Sequence, residues 1–246
     1  MTTQPRIVAI VPAAGVGSRM QSSTPKQYIE LQGKTVLEHT LNKLMKVGEI
    51  SAIKVAISAA DDYFSTLAIN KQVISTVAGG RERADSVLAA LDAIEQQSPD
   101  WVLVHDAARP LVCAHDIENL IAQCCAAKQG GILAAKVRDT IKRGCKRGCK
   151  RGCNSEDDGE FIDMTIPREH LYQALTPQFF PYELLRQALR DALVAGANIT
   201  DEASAMEWAG HPVRLITGRS DNFKITTPED LQLANFLLAQ QVTEFV

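Results

Sequence analysis

Gly15 and Gly17 directly follow an apolar run, and two cations, Arg19 and Lys26, arrive within the next few residues. A turn of small residues lets backbone N–H groups approach a ligand closely. Fixed positive charges beside such a turn suit an anion. Ile7-Val8-Ala9-Ile10-Val11, just upstream, is short, apolar and rich in β-branched residues, and it reads as a buried strand. A strand, a small-residue loop and two cations together make a place to hold a polyphosphate and do chemistry on it.

Three phosphate-binding patterns compete for this stretch. The dinucleotide fingerprint G-x-G-x-x-G fits at Gly15 and Gly17 but meets Met20 at its third position, which opposes close helix–strand packing. The P-loop G-x-x-x-x-G-K-[ST] finds its tail in Gly33-Lys34-Thr35 but has Tyr28 where the first glycine belongs. The sugar-nucleotidyltransferase signature, roughly G-x-G-x-R-[ML] followed by P-K, is met at Gly15, Gly17, Arg19, Met20, Pro25 and Lys26.

These residues need a scaffold, and the chain is long enough to supply one. Its 246 residues, 46% hydrophobic and 22% charged, can bury one large α/β core. A net charge of -3 gives no global electrostatic case for nucleic acid. No apolar run reaches the ~18 residues of a membrane span, and the N-terminus lacks the pattern of a signal peptide. The six cysteines form no C-x-x-C pair, so a cytoplasmic protein is expected.

Short apolar runs alternate with helical periodicity. Strands are expected at Ile53–Ile57, Val73–Val77, Trp101–His105, Gly131–Ala135, Leu171–Thr176 and Val213–Ile216. Helices are expected at Thr35–Val47, Arg83–Ile94, Ile117–Ala127, Pro181–Leu193, from Thr200 or Asp201 through Trp208, and Pro228–Leu238. This order predicts a Rossmann-like, mostly parallel sheet flanked by helices, with ligands beyond the carboxyl ends of the strands. The loops after the first strand, after Val77 and after His105 should meet at one site. Residues 136–170 break the pattern and read as an arm protruding from a single domain over 1–246. The arm holds three tandem Lys-Arg-Gly-Cys copies from Lys142 to Cys153. Their cysteines, four apart, would stack on one helix face, but a glycine in every copy opposes a helix. The repeat reads as a short duplication in a tolerant hairpin and not as a metal site.

The ordered set of motifs resembles the 2-C-methyl-D-erythritol 4-phosphate cytidylyltransferase family over nearly the whole chain. It rests on Val11-Pro12-Ala13-Ala14-Gly15 with Arg19, Pro25-Lys26-Gln27-Tyr28, Gly79-Gly80 with Arg83 and Ser86-Val87, and Val104-His105-Asp106-Ala107-Ala108-Arg109-Pro110. It continues through Val137-Arg138-Asp139-Thr140, Ala174-Leu175-Thr176-Pro177-Gln178, Thr200-Asp201-Glu202-Ala203-Ser204 and Asp221-Asn222-Phe223-Lys224. The resemblance implies attack of an alditol phosphate oxygen on the α-phosphorus of CTP. Arg19 and Lys26 would stabilise the transition state, while Arg168 and Lys224 would position the incoming phosphate. Ala13, Ala14, Gly15, Gly80, Arg81, Ser86 and Asp106 would hold CTP. Asp106, Arg109, Thr140, Arg168, Thr176 and Lys224 would meet the alditol phosphate. It further implies a divalent cation, Mg2+, held mainly by the CTP phosphates, no protein metal ligands, and a homodimer in which the arm sends Arg168 into the neighbouring site.

Two features depart from the family pattern. Arg81 stands where some relatives carry an acidic residue, and the arm is lengthened by the repeat. The resemblance also leaves competitors. A cytidylyltransferase for another alditol phosphate, such as ribitol 5-phosphate, would share fold and CTP loop. A nicotinamide oxidoreductase is opposed by Met20, and a non-catalytic nucleotide-binding regulator by the presence of both Arg19 and Lys26.

Overall fold

The computed structural model describes residues 5–15, 20, 24–94, 99–145 and 160–243. Seven strands form the main sheet: β1 (Ile7–Pro12), β4 (Ile50–Ile57), β5 (Ile74–Ala78), β6 (Trp101–Val104), β7 (Gly131–Lys136), β10 (Tyr172–Pro181) and β11 (Arg214–Thr217). Their spatial order is β11-β7-β10-β6-β1-β4-β5. β10 is antiparallel to both neighbours, and the other pairings are parallel.

β1 lies at the middle of its parallel group and is buried on both faces, which is why it reads as a continuous apolar run. The two-residue period divides its side chains. Ile7, Ala9 and Val11 enter a core with Leu37, Leu41 and Leu44 of α1 (Val36–Met45) and Ile117 and Leu120 of α3 (Ala114–Ala127). Ile10 enters the opposite core with Val87 and Leu91 of α2 (Arg83–Asp92), Leu185 and Leu189 of α4 (Tyr182–Val194) and Met206 of α5 (Glu202–Trp208). A third cluster seats α6 (Pro228–Thr243) through Ala234 and Leu238 on Leu31, Val36, Ala108 and Ile225.

Several expected boundaries move. The strand expected at Leu171–Thr176 runs instead from Tyr172 to Pro181, and its ladder to β7 is interrupted between Ala174 and Gln178. Pro177 in that gap has no N–H to give. The helix expected to run to Val47 ends at Met45, before Gly48. Its start is set by a capping box. The Thr35 hydroxyl accepts from the Glu38 N–H, and the Glu38 carboxylate accepts from the Thr35 N–H. The P-loop reading of Gly33-Lys34-Thr35 therefore falls: Gly33 turns the hairpin of β2 (Glu30–Leu31) and β3 (Lys34–Thr35), and Thr35 caps α1.

Residues 136–170 contain a separate antiparallel pair, β8 (Ile141–Cys145) and β9 (Phe161–Ile166), which among the described residues joins no strand of the main sheet. The first Lys-Arg-Gly-Cys copy lies in β8, with Lys142 Nζ 2.7 Å from the Thr165 hydroxyl. Ile162 and Met164 of β9 are exposed. The other two copies, with Cys149 and Cys153, lie outside the described residues.

Candidate active site

The carboxyl ends of β1, β5 and β6 open into one pocket of about 330 Å³. The three expected loops meet there, joined by the loop after β11. Pro12, Ala13, Ala14 and Gly15 come from β1 and its turn, Gly80 and Arg81 from the β5–α2 connection, Arg83 and Ser86 from the first turn of α2, and Asp106 from the end of β6; Lys26, Lys224 and Thr226 complete the charged side.

The base of the pocket is tightly built. A Cβ on Gly79 would fall 2.5 Å from the Ala14 Cβ, and one on Gly80 2.3 Å from the Asp85 Cβ. Only glycine lets the two turns approach this closely. The Ser86 hydroxyl accepts from the Gly80 N–H at 3.1 Å and donates to the Glu82 carbonyl at 3.1 Å, fixing that turn at the start of α2. Lys26 opens a single-turn helix, Lys26–Tyr28, that is anchored next door. Buried Gln27 donates to the Ala13 carbonyl at 2.7 Å, and Tyr28 donates to Asp61 at 2.7 Å. Lys26 Nζ itself donates to the Ile225 carbonyl at 3.2 Å.

Asp106 is the electrostatic centre. Its Oδ1 lies 2.9 Å from Arg83 Nε, and its Oδ2 lies 2.9 Å from Lys224 Nζ and 3.6 Å from Arg109 Nε. Burial alone would raise its pKa, but Arg83, Lys224 and Arg109 outweigh burial and hold the carboxyl well below the usual carboxylate range. Arg83 also forks onto Glu202, a carboxylate with no exposed surface, at 2.7 and 3.0 Å. Desolvation works against this guanidinium, yet Glu202 and Asp106 raise its pKa above the ordinary arginine value.

His105, wholly buried, braces the loop from below. Its Nε2 lies 3.1 Å from the Arg109 carbonyl and its Nδ1 2.9 Å from the Thr176 hydroxyl. A carbonyl only accepts, so Nε2 carries the proton and Nδ1 accepts from Thr176. The same hydroxyl accepts from the Asp106 N–H at 3.1 Å. Burial pushes the His105 pKa down to about 4, which keeps the ring neutral.

An anion-binding pocket on a β1 turn of small residues, ringed by cations, is common to many phosphate-using enzymes. The model of 2-C-methyl-D-erythritol 4-phosphate cytidylyltransferase (IspD) matches residues 7–240. The chain belongs to that cytidylyltransferase family. The protein of that name from Pseudoalteromonas translucida (strain TAC 125) is 57% identical over 244 residues, covering 99% of this chain and 95% of its own. Its namesake from Vibrio vulnificus (strain CMCP6) is 51% identical over 238 residues, covering 96% and 95%. The crystal structure of the Francisella tularensis cytidylyltransferase superposes with a TM-score of 0.76 at 35% identity, over 94% of this chain and 99% of that one. A crystal structure of 4-diphosphocytidyl-2C-methyl-D-erythritol synthase gives 0.78 at 34%, over 96% and 100%.

Within this cytidylyltransferase fold the expected site residues that are described separate into three groups. Ala13, Ala14, Gly15, Lys26, Gly80, Arg81, Ser86, Asp106 and Lys224 line the pocket. Arg109 and Thr176 are buried behind it, held to Asp106 and His105. Thr140 and Arg168 are exposed and do not line it. Arg168 donates to the Arg138 carbonyl and borders a separate recess with Lys136, Arg138, Thr217 and Ser220. Arg19 lies outside the described residues. The expected set omitted Gln27, Glu202 and Asn222, and gave Arg83 no role. Arg83 and Glu202 did stand inside quoted motifs, but only contact across the fold reveals their pairing.

Proposed function

We propose that this protein transfers the cytidylyl group of CTP to 2-C-methyl-D-erythritol 4-phosphate, with release of pyrophosphate and formation of 4-CDP-2-C-methyl-D-erythritol for isoprenoid synthesis. The observation that carries the reading is the family match together with the convergence of Lys26, Arg83 and Lys224 on one pocket at the end of β1. A phosphate oxygen attacks the α-phosphorus of CTP with its lone pair; one P–O bond forms, and the bond to the α–β bridging oxygen breaks, its electron pair leaving on that bridging oxygen as part of pyrophosphate. The attacking phosphate is already a nucleophile, so what the reaction needs is alignment of two repelling anions and neutralisation of charge on a five-coordinate phosphorus.

Each residue then has a task. The turn of Ala13, Ala14 and Gly15 and the Gly80–Arg81 backbone hold the nucleotide, with Ser86 fixing the Gly80 turn. Lys26, with Arg19, meets the charge developing at the α-phosphorus. Lys224, on the Oδ2 side of Asp106, takes the alditol phosphate, with Arg109 held toward the same oxygen from behind the pocket. Asp106 is already occupied by three cations, so the donor set fits a divalent cation ligated mainly by phosphate oxygens rather than one caged by protein. Such a cation, Mg2+ in this reading, supplies neutralisation of the triphosphate.

The reading extends to a cytoplasmic homodimer in which Arg168 and Thr140 reach the site of the partner subunit. The separation of Arg168 from its own pocket and the exposed Ile162 and Met164 of the arm support it, as the thiols of Cys113, Cys124 and Cys125 suit a reducing compartment. The test of the function is pyrophosphate release from CTP across a panel of alditol phosphates. Turnover with 2-C-methyl-D-erythritol 4-phosphate well above that with ribitol 5-phosphate is expected; the reverse preference would overturn the substrate assignment.

A further inference from the structure

We propose that Asn222 and His105 are positioning residues that set Lys224 for the alditol phosphate, through a closed ring of buried hydrogen bonds linking three separate segments of the chain. The inference deepens the cytidylyltransferase reading above and rests on it. The ring can be followed bond by bond. The Asp106 N–H donates to the Thr176 hydroxyl at 3.1 Å, and that hydroxyl donates to His105 Nδ1 at 2.9 Å. His105 Nε2–H donates to the Arg109 carbonyl at 3.1 Å, and Arg109 Nη1 donates to the Asn222 carbonyl at 2.7 Å. Asn222 Nδ2 closes the ring on the Thr176 carbonyl at 2.8 Å.

The ring joins the turn after β6, the middle of β10 and the loop after β11. Asn222 and His105 are 1% and 0% exposed, and neither lines the pocket, so neither touches substrate. Their effect falls on what they hold. Lys224 is two residues beyond Asn222. On its other side the Ile225 N–H donates to the Ala108 carbonyl at 2.9 Å, and the Ile225 carbonyl accepts from Lys26 Nζ at 3.2 Å. Lys224 is thus bracketed, with Asn222 tying one flank to Thr176 and Arg109 and Ile225 tying the other to Ala108 and Lys26. The two flanks relate the cation that meets the alditol phosphate to the cation that meets the α-phosphorus. The ring uses the donor of the Asn222 amide, while its Oδ1 is buried without a hydrogen-bond partner. An aspartate there would set a second acceptor against the Thr176 carbonyl, so the amide is needed for what it donates. His105 supplies one donor and one acceptor in fixed opposition, which its neutral ring alone provides.

A positioning role separates from a merely structural one by which substrate suffers. For Asn222→Ala, kcat/KM for 2-C-methyl-D-erythritol 4-phosphate at saturating CTP should fall at least ~10-fold, since a small misplacement of a positioning group costs up to 10²-fold. The Kd for CTP, measured calorimetrically without alditol phosphate, should stay within about twofold, because the turn holding the nucleotide is not in the ring. A proportional loss of CTP affinity, or no change in either quantity, would overturn the proposal. If Asn222→Ala does not fold, His105→Gln against His105→Ala reads the ring from its other side. The glutamine amide can still donate to the Arg109 carbonyl, so it should retain more alditol-phosphate turnover than alanine; equal activity of the two would overturn the ring. A wild-type enzyme inactive with this substrate sinks the functional reading and this proposal together, whereas an active wild type with an unaltered Asn222→Ala sinks the ring alone.

Discussion

Lowering the pH toward 4.5 should destabilise this enzyme, with a separable share carried by His105. Its imidazole is wholly buried and its pKa is pushed from 6.5 down to about 4, chiefly by desolvation. Between those values the unfolded chain binds a proton that the native state refuses, so stability falls as pH falls. The native group stays neutral through nearly the whole window. From pH 7.5 to 4.5 the imidazole passes through about two pK units below its unfolded value, each worth about 1.36 kcal/mol, a loss of about 2.5 kcal/mol. At this chain length that corresponds to roughly 5–10 °C in Tm. The assay is urea unfolding of wild type and His105→Gln at pH 7.5, 6.0, 5.0 and 4.5. His39, which burial also shifts downward, titrates in both proteins and cancels in the comparison. Asp106, Glu38 and Asp230 all have lowered pKa values, so their stabilisation is present above the ordinary carboxylate range and starts to be lost only near the low end of the window, in both proteins alike. Wild type should lose the extra ~2.5 kcal/mol, and His105→Gln should not. Parallel pH curves would refute the claim that His105 is held neutral.

Lys26→Ala and Arg19→Ala should each lower kcat by roughly 10²–10³, about 2.7–4 kcal/mol, with much smaller effects on CTP binding; a raised KM for CTP at unchanged kcat would make that residue a ground-state binder. Glu202→Gln keeps the shape of the side chain but leaves Arg83 only Asp106. Removing one partner of a buried pair costs about 3–5 kcal/mol, and the 25% exposure of Arg83 reduces that to about 2–3 kcal/mol, read as a lower urea midpoint at unchanged m; unchanged stability would mean that Glu202 does not anchor Arg83. Mixing inactive Lys26→Ala and Arg168→Ala should restore part of the activity after subunit exchange, because one site of a mixed dimer would carry neither defect. No recovery despite proven exchange would place Arg168 in its own subunit's chemistry or in none.

Much of the site was legible because its residues are local and chemically marked. Ala13-Ala14-Gly15 follows a strand that must be buried on both faces, and Lys26 stands close by in the chain; both line the pocket. Lys224 is far away in sequence and is named by its motif alone; the fold brings its Nζ to 2.9 Å from Asp106. The sheet's parallel core was legible for the same reason, since alternating strands and helices leave few other topologies. The antiparallel β10 was not. The expected strand stops at Thr176, short of Phe179-Phe180, and its direction depends on the path of the chain through residues 136–170, since side-chain period carries no direction. Asn222 and Glu202 were missed as site residues because their partners, Thr176 and Arg83, lie 46 and 119 residues away.

Asp106 poses the central physical question of the pocket, since an anion there works against binding two anionic substrates. The answer lies in the cost of assembling Arg83, Arg109 and Lys224 around one point. Without a counter-charge, like charges at such separations repel, and the flexible Lys224 chain would turn toward water. The carboxylate offsets that repulsion in the empty site and holds Lys224 inward at 2.9 Å. The three interactions are not equally tight. Arg83 is shared with the unexposed Glu202, while Arg109 Nε, at 3.6 Å from Oδ2, is buried and lacks a hydrogen-bond partner. In the proposed reaction an arriving phosphate therefore competes for Lys224, while Arg83 stays locked between two carboxylates and Arg109 stays buried behind the pocket. The network thus divides its cations: Arg83 and Arg109 fix the carboxylate, and Lys224 is held at the pocket by it, where in the proposed reaction an incoming phosphate would take it over.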